Sequence, residues 1–178
     1  MHKALFLAWV EGRDEGYELA NGRVVRMQSR SRAGAEIAAN MFRVLNSRLD
    51  PERWTILFSF AIDVGPKTVR FPDVLVDSAA AAPRELTARA PVLIADVLWH
   101  SREVTHLGHK AAEYLPLQSL AAYLVFAQDE EKAWIWLKDA QGFPPGPQVL
   151  NAPNEIIRVA ALGIEFRLAE VYARVQLD

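Results

Sequence analysis

Apolar residues recur along this chain at two spacings, one typical of β-strands and one typical of amphipathic helices. Short runs rich in β-branched and aromatic residues predict strands at 54–62, 69–76, 91–99, 120–126 and 133–137. Apolar positions three and four residues apart predict helices that begin near residues 31 and 103. Strands and helices in this order favour an α/β protein in which helices flank a mixed β-sheet.

The two ends of the chain complete the predicted fold. Asn21-Gly22 lies between two short β-prone runs and predicts a hairpin, and the apolar residues before it predict a short helix rather than a signal peptide. Towards the other end, two further strands that close the sheet and a last helix are predicted at 155–159, 163–166 and 168–175. The chain has 178 residues, no internal repeat and no long linker, so we expect a single domain, 1–178.

Composition excludes several classes of protein. The chain contains no cysteine, which rules out disulfides and thiolate chemistry and fits a reducing cytoplasm. No apolar run approaches the roughly 18 to 20 residues that are needed to span a bilayer. The sequence also lacks a glycine-rich phosphate loop and a Gly-x-Ser-x-Gly motif, which argues against nucleotide hydrolases and serine hydrolases.

Two aspartates and one lysine stand where active-site residues are expected. Asp73 lies in the strand predicted at 69–76, and Asp96 interrupts an apolar run typical of a strand that is buried on both faces. A buried carboxylate is costly unless it is paired, hydrogen-bonded or bound to a metal. Lys110 follows on the next predicted helix. Two such acids and a lysine are the minimal set for hydrolysis of a phosphodiester assisted by Mg²⁺ or Mn²⁺.

Each of these residues also has a non-catalytic interpretation. Asp73 alone would fit an acid that pairs with a neighbouring arginine, and Asp96 would fit a buried salt bridge, for example to Lys110. Lys110 shares a helix face with Tyr114, so both side chains could simply cover the sheet. Glu36 suits the start of a helix, where negative charge is favourable, and is kept as a candidate third metal ligand.

Three histidines, His100, His106 and His109, fall within ten residues of one another. His106 and His109 share a helix face, so a transition-metal site that includes Asp96 is conceivable. The spacing matches no recognised zinc motif, which favours ordinary surface histidines.

The distribution of charge leaves two interpretations open. A net charge of −2 is unfavourable for a protein that binds nucleic acid, because such binding depends largely on neutralising phosphates. Between Glu18 and Glu36, however, no acid occurs, and the four arginines there are Arg23, Arg26, Arg30 and Arg32. They belong either to a solvated hairpin and loop or to a stripe that faces phosphate.

Trp134 and Trp136 alternate with apolar neighbours, so both faces of the strand at 133–137 are apolar. One small domain has difficulty covering both faces, and a homodimer is therefore predicted. Symmetric pairing would also provide two active sites for two strands of nucleic acid.

With these residues in place, the chain resembles the PD-(D/E)XK nuclease superfamily, and more closely the Uma2 family of restriction-endonuclease-like proteins. The likeness rests on the hairpin at 17–25, the Pro-Asp strand at 71–76 and the stretch from Asp96 to Tyr114. It implies a restriction-endonuclease-like fold and a metal-dependent endonuclease that acts on DNA. In such proteins the two acids hold the metal, and the lysine, here Lys110, comes from the helix after the second acid.

The chain departs from the family pattern at several positions. Asp96 stands where the family usually has glutamate, Trp99-His100 replace a common Ser-Pro pair, and His106 replaces an aspartate. These departures leave a second function open, a nucleic-acid-binding or structural homodimer of the same fold in which the catalytic site has drifted.

Overall fold

The computed structural model describes residues 1–28, 30–99 and 104–177, without the side chains of residues 104–106. The described helices are α1 (Lys3–Val10), α2 (Arg32–Asn46), α3 (Val104–Tyr114) and α4 (Leu168–Val171). The described strands are β1 (Tyr17–Ala20), β2 (Arg23–Arg26), β3 (Trp54–Phe58), β4 (Ile62–Gly65), β5 (Thr68–Arg70), β6 (Val74–Ser78), β7 (Leu93–Leu98), β8 (Ala122–Ala127), β9 (Ala133–Leu137), β10 (Gln148–Leu150), β11 (Ile156–Val159) and β12 (Ile164–Arg167). None of the described helices has the length and apolar character needed to cross a membrane.

A mixed central sheet organises the described part of the chain, with strand order β10-β9-β8-β7-β6-β3. Strands β7 and β8 are parallel, and the other neighbours in this sheet are antiparallel. Because side chains alternate along a strand, Ala95 packs on the face covered by α2, whereas Ile94 packs on the face covered by α3. The predicted α/β architecture with helices on both sides of a mixed sheet is confirmed.

The long helix α2 begins and packs as its sequence predicts. Ser31 caps the helix, and its hydroxyl accepts a hydrogen bond from Gly34 N at 3.0 Å. The apolar stripe is buried against the sheet at Ile37, Met41, Val44 and Leu45. Polar Asn40 lies buried beside that stripe and donates to the carbonyls of Val171 and Ala173 at 2.8 and 3.0 Å. These bonds fasten α4 and the residues after it to α2.

The strands predicted at 54–62 and 69–76 are each divided in two. The chain leaves the central sheet after Phe58, forms β4 and β5 in a second sheet of order β2-β1-β5-β4, and returns at Val74. Ser59 has a positive φ of 45°, and Pro72 has no N–H to donate to a ladder, so neither residue continues a strand. Asp73 therefore lies at the crossing between two sheets rather than inside a strand.

The predicted end of the fold needs correction. Residues 155–159 and 163–166 do contribute strands, β11 and β12, but these pair with each other as a separate hairpin and do not close the central sheet. Each strand buries alternate residues, so the hairpin lies over the α2 face of the core with its other side in solvent. The helix predicted at 168–175 ends at Val171, because Asn40 binds the carbonyls beyond it and Arg174 has a φ of 62°.

The reason for expecting a dimer at Trp134 and Trp136 was also wrong. Both indoles are only 4% exposed, and Ile135 between them is 2% exposed. Trp136 stacks on Tyr123 with ring centroids 5.3 Å apart, beneath the α3 face. Both faces of β9 are therefore covered by the chain itself.

Asp77 is a buried carboxylate that belongs to the fold rather than to the site. It is 1% exposed and accepts hydrogen bonds from the backbone N–H groups of Ser78, Arg89 and Ala90 at 2.8 to 2.9 Å. Three donors satisfy the charge, and in return the carboxylate fixes the far end of the loop at 79–90 against β6.

We expect Asp77→Asn to lower the free energy of unfolding by about 2 kcal/mol, because one buried N–H loses its acceptor. Urea unfolding followed by circular dichroism measures the change. Asp139→Asn is the matched control, since Asp139 is exposed and accepts one bond from Gln141 N. Equal stability losses in the two variants would contradict the assignment.

Candidate active site

Strand register brings the two predicted acids together. Val74 on β6 pairs with Ala95 on β7 in antiparallel register, so the next position places Asp73 opposite Asp96. The backbone N–H of Asp73 points at Asp96 Oδ1, with the two atoms 3.4 Å apart. Asp96 is 5% exposed, and Asp73 is more accessible. Both side chains lie on the α3 face of the sheet.

Lys110 on α3 completes the predicted group. Its Nζ donates to Asp96 Oδ2 at 3.2 Å, and the Tyr123 hydroxyl on β8 donates to the same oxygen at 3.0 Å. Asp73 Oδ2 accepts a hydrogen bond from Val97 N at 2.6 Å. The structure therefore brings Asp73, Asp96 and Lys110 to one point, and it also contains the Asp96–Lys110 salt bridge that the non-catalytic interpretation requires.

The electrostatics of this point differ from those of a simple salt bridge. Burial and the neighbouring Asp96 charge raise the pKa of Asp73, although the Arg30 guanidinium acts in the opposite direction. Burial alone lowers the pKa of Lys110, but the attraction of nearby carboxylates, Asp96 foremost, outweighs it and holds the pKa above its usual value. A simple salt bridge has one acid and one base, whereas here two acids that repel each other lie side by side, each with its own basic partner, Lys110 for Asp96 and Arg30 for Asp73.

The four arginines from Arg23 to Arg32 do not form one stripe. Arg30 Nε donates to Asp73 Oδ1 at 2.7 Å, whereas Arg26 pairs with Glu15 and Arg32 pairs with Glu36. Of the four predicted arginines, Arg26 and Arg30 line the cavity at the aspartates. The expectation of a continuous surface that faces phosphate is therefore reduced to these two side chains.

Glu36 lies away from the aspartates. It pairs with Arg32 on the exposed side of α2, beside a different cavity, and the cap of that helix is Ser31. The described residues contain no group of three or more His, Cys, Asp or Glu side chains placed to hold a metal ion. We therefore omit Glu36 from the ligand set.

His100 and the side chain of His106 lie outside the described residues, and His109 is exposed on α3.

Sequence reasoning missed two residues that shape the site, Glu18 and Tyr123. Glu18 on β1 lines the cavity, and its carboxylate accepts from Arg70 Nη1 at 2.8 Å and from Phe71 N at 3.2 Å. Arg70 also forms two hydrogen bonds to Glu113 on α3, at 2.7 and 2.8 Å. This network ties the hairpin and the chain crossing to the helix that carries the lysine.

A cavity of about 300 Å³ opens at the aspartates and the lysine. Its walls include Glu18, Arg30 and the partly exposed Trp99. A larger cavity of about 670 Å³ adjoins it beneath α1, and the residues that line both are Arg26, Met27, Gln28, Arg30 and Phe71. The site therefore lies at one end of an extended concave surface, the shape expected of a substrate cleft.

The family model described as "Uma2: Putative restriction endonuclease" matches residues 4–170. The chain belongs to the Uma2 family. Among solved structures, it is similar to one described as a "putative nuclease belonging to DUF820" from Anabaena variabilis, with a TM-score of 0.79 and 14% sequence identity over 99% of each chain. At that identity the likeness shows the fold alone. No curated protein matches the chain.

Membership of the Uma2 family confirms the resemblance drawn from the hairpin, the Pro-Asp strand and the stretch from Asp96 to Tyr114. The family description and the fold together support a nuclease, and the family implies nucleic acid as the substrate. The three converging side chains lie within the matched residues.

We expect Glu113→Gln to lower the free energy of unfolding by about 2 kcal/mol, because Arg70 keeps only one charged partner in a poorly solvated place. Glu165→Gln is the matched control, since it makes the same change in the exposed Arg158–Glu165 pair and should alter stability little. Thermal and urea unfolding of both variants measure the difference. If the network does not hold α3 in place, Glu113→Gln and Glu165→Gln should have the same free energy of unfolding.

Proposed function

We propose that this protein is a metal-dependent endonuclease that hydrolyses phosphodiester bonds in DNA. The observation that carries the proposal is the meeting of Asp73, Asp96 and Lys110 at the wall of a cavity. Membership of the Uma2 family supports the same conclusion from an independent direction.

The chemistry of the donor set fits Mg²⁺ or Mn²⁺. Mg²⁺ is commonly bound through one or two carboxylates, with water and substrate phosphate in its other positions. Asp73 and Asp96 provide two carboxylates of this kind, whereas structural zinc sites usually have four protein ligands that include nitrogen or sulfur. Asp73 and Asp96 would hold the ion, which when bound supplies positive charge for the phosphate and lowers the pKa of water. The ion would also relieve the repulsion between the two acids.

Lys110 would act on water and on phosphate. Its ammonium group has three N–H donors, and one of them is used on Asp96. The attraction of the carboxylates keeps the ammonium charged, so it can orient a water molecule or neutralise a phosphate oxygen. Tyr123 is a positioning residue, because its hydroxyl holds the oxygen of Asp96 that Lys110 also contacts.

A second candidate function is a nucleic-acid-binding or structural relative with a drifted site. The observation that favours it is the set of contacts on the two acids, since Lys110 pairs with Asp96 and Arg30 pairs with Asp73. Asp96 is also one methylene shorter than the glutamate usual in the family. Metal binding separates the two candidates, because a site that serves only as an ion-pair cluster has no affinity for a divalent cation.

We expect Lys110→Ala to bind Mn²⁺ with nearly the wild-type affinity and to cleave plasmid DNA at least about 100-fold more slowly. The physical reason is that the lysine acts on water and phosphate rather than on the metal. Calorimetric titration and a nicking assay measure the two quantities. Lys138→Ala, which removes an exposed lysine that binds the Gln118 carbonyl, is the control and should cleave normally.

Changes at the acids should affect metal and cleavage together. Asp96→Asn should lose both, because it removes a charged ligand, whereas Asp96→Glu restores the usual acid of the family and should keep or raise activity. Full cleavage by an Asp73→Ala, Asp96→Asn double variant, purified free of host nucleases, would refute the assignment.

We also propose that the active form is a cytoplasmic homodimer, because cutting both strands of a duplex calls for two sites. The expected mass in light scattering is twice the 19.9 kDa of one chain. A mass of one chain at high micromolar concentration would contradict the dimer without affecting the assignment of the site.

A further inference from the structure

Arg30 holds the outward oxygen of Asp73. The Asp73 carboxylate uses Oδ2 to accept from Val97 N, and its Oδ1 is contacted by Arg30 Nε at 2.7 Å and Arg30 Nη2 at 2.5 Å. Arg30 Nη2 also donates to the Ser59 hydroxyl at 2.7 Å. The guanidinium therefore places its positive charge at the oxygen of Asp73 that faces away from the sheet backbone.

A divalent cation shared by the two aspartates needs that same oxygen or the space beside it. A guanidinium and a metal ion would then compete, because each places positive charge at one carboxylate. Lys110 need not move in the same way, since it contacts Asp96 and not Asp73 in the contacts described. Among the contacts described, Arg30 is the basic side chain that occupies the Asp73 carboxylate.

We infer that Arg30 is an exchangeable counter-ion, which neutralises Asp73 in the free protein and moves to a phosphate of the nucleic acid when the metal binds. The inference rests on the proposed function and deepens it. Arg30 would weaken metal binding in the free protein, and nucleic acid would strengthen it by drawing Arg30 away. Metal and nucleic acid would consequently bind with positive coupling.

The surroundings of Arg30 suit both the pairing with Asp73 and the contact with a phosphate. The residue lies in the connection between β2 and α2, outside regular secondary structure, and its side chain is 35% exposed. It lines both the cavity at the aspartates and the adjoining larger cavity, so a short movement leads from one to the other. Its planar fork of donors matches the oxygens of a phosphate as well as those of a carboxylate.

Arg70 provides the contrast within the same chain. Its guanidinium lies between Glu18 and Glu113, and its side chain is 13% exposed. Two acids on two different elements hold it, so its role is fixed and structural. Arg30 has one acid and one hydroxyl, and it faces open space.

The competing explanation is that Arg30 is only an anchor that keeps Asp73 and the Ser59 backbone in place. The two explanations predict opposite signs for one measurement. If Arg30 competes with the metal, its removal strengthens metal binding. If Arg30 is an anchor, its removal disorders a ligand and weakens metal binding.

The first experiment titrates Mn²⁺ into the full chain without nucleic acid, followed by calorimetry. Arg30→Ala should bind Mn²⁺ about tenfold more tightly than the wild type, since it removes a competing charge next to a ligand. Arg30→Lys should lie between the two, because it keeps the charge and loses the fork. Arg32→Ala is the matched control, since it deletes an arginine that pairs with Glu36 away from the site, and should stay within about twofold of the wild type.

Ser59→Gly separates competition from anchoring. Glycine tolerates the positive φ at this position and removes the hydroxyl without removing the Arg30 charge. An anchoring role predicts that Ser59→Gly and Arg30→Ala change Mn²⁺ affinity in the same direction, towards weaker binding. The exchange predicts tighter binding for Arg30→Ala and no more than a small change for Ser59→Gly.

The second experiment measures coupling directly, as the ratio of duplex DNA affinities with and without Ca²⁺, read by fluorescence anisotropy. The wild type and Arg32→Ala should show the same coupling, and Arg30→Ala should show a clearly smaller one. If Arg30→Ala shows the same coupling between metal and DNA as the wild type, the proposed exchange of Arg30 between Asp73 and phosphate is overturned.

The outcomes distinguish this inference from the proposed function. If the wild type binds Mn²⁺ and Arg30→Ala weakens that binding or leaves it unchanged, the inference alone is overturned. Binding seen only in Arg30→Ala supports it, since the competition is then stronger than expected. Folded protein that binds no Mn²⁺ in either form overturns both.

Discussion

The site depends on the register between β6 and β7. Because side chains alternate along a strand, a slip of one residue would turn Asp96 to the α2 face and separate it from Asp73 and from Lys110. The register is secured by the apolar residues on either side, since Val74 and Ala95 belong to one core and Leu75 and Ile94 to the other. The chemistry of the site is therefore specified by the hydrophobic packing of the residues next to the two acids along their strands.

That register places two carboxylates side by side, where they repel each other, and the surrounding contacts offset this repulsion. Each acid has one backbone or hydroxyl donor and one basic side chain. These are Val97 N and Arg30 for Asp73, and Tyr123 and Lys110 for Asp96. The network of Glu18, Arg70 and Glu113 stands apart from these contacts and keeps α3 in place. The network nevertheless borders the reacting groups, because Glu18 lines the same cavity and Glu113 lies on the helix that carries Lys110.

The sequence was informative where local pattern determines structure. Asp96 stood out because an acid in an apolar strand needs a reason, and Lys110 followed on a helix with a clear apolar stripe, so their meeting could be anticipated. Glu18 and Tyr123 could not, because their approach depends on how the chain crosses between sheets and on a parallel register that no local pattern encodes. The same limit explains the misplaced β11 and β12, whose alternation predicts strands but does not identify their partners. The wrong argument for a dimer at Trp134 has a related cause, since an apolar strand face does not reveal whether residues of the same chain pack against it.

The bonds from Asn40 to the carbonyls of Val171 and Ala173 join residues 131 and 133 positions apart. On a ribosome, α2 emerges long before residues 171–173, so the buried amide of Asn40 would lack these partners until that part of the chain is synthesised. The bonds from Asn40 on α2 to Val171 and Ala173 can form only when residue 173 has left the exit tunnel. Completion of the fold on that face should therefore be slowed by long-range contacts, with the amphipathic α2 as a segment that chaperones could recognise in the nascent chain.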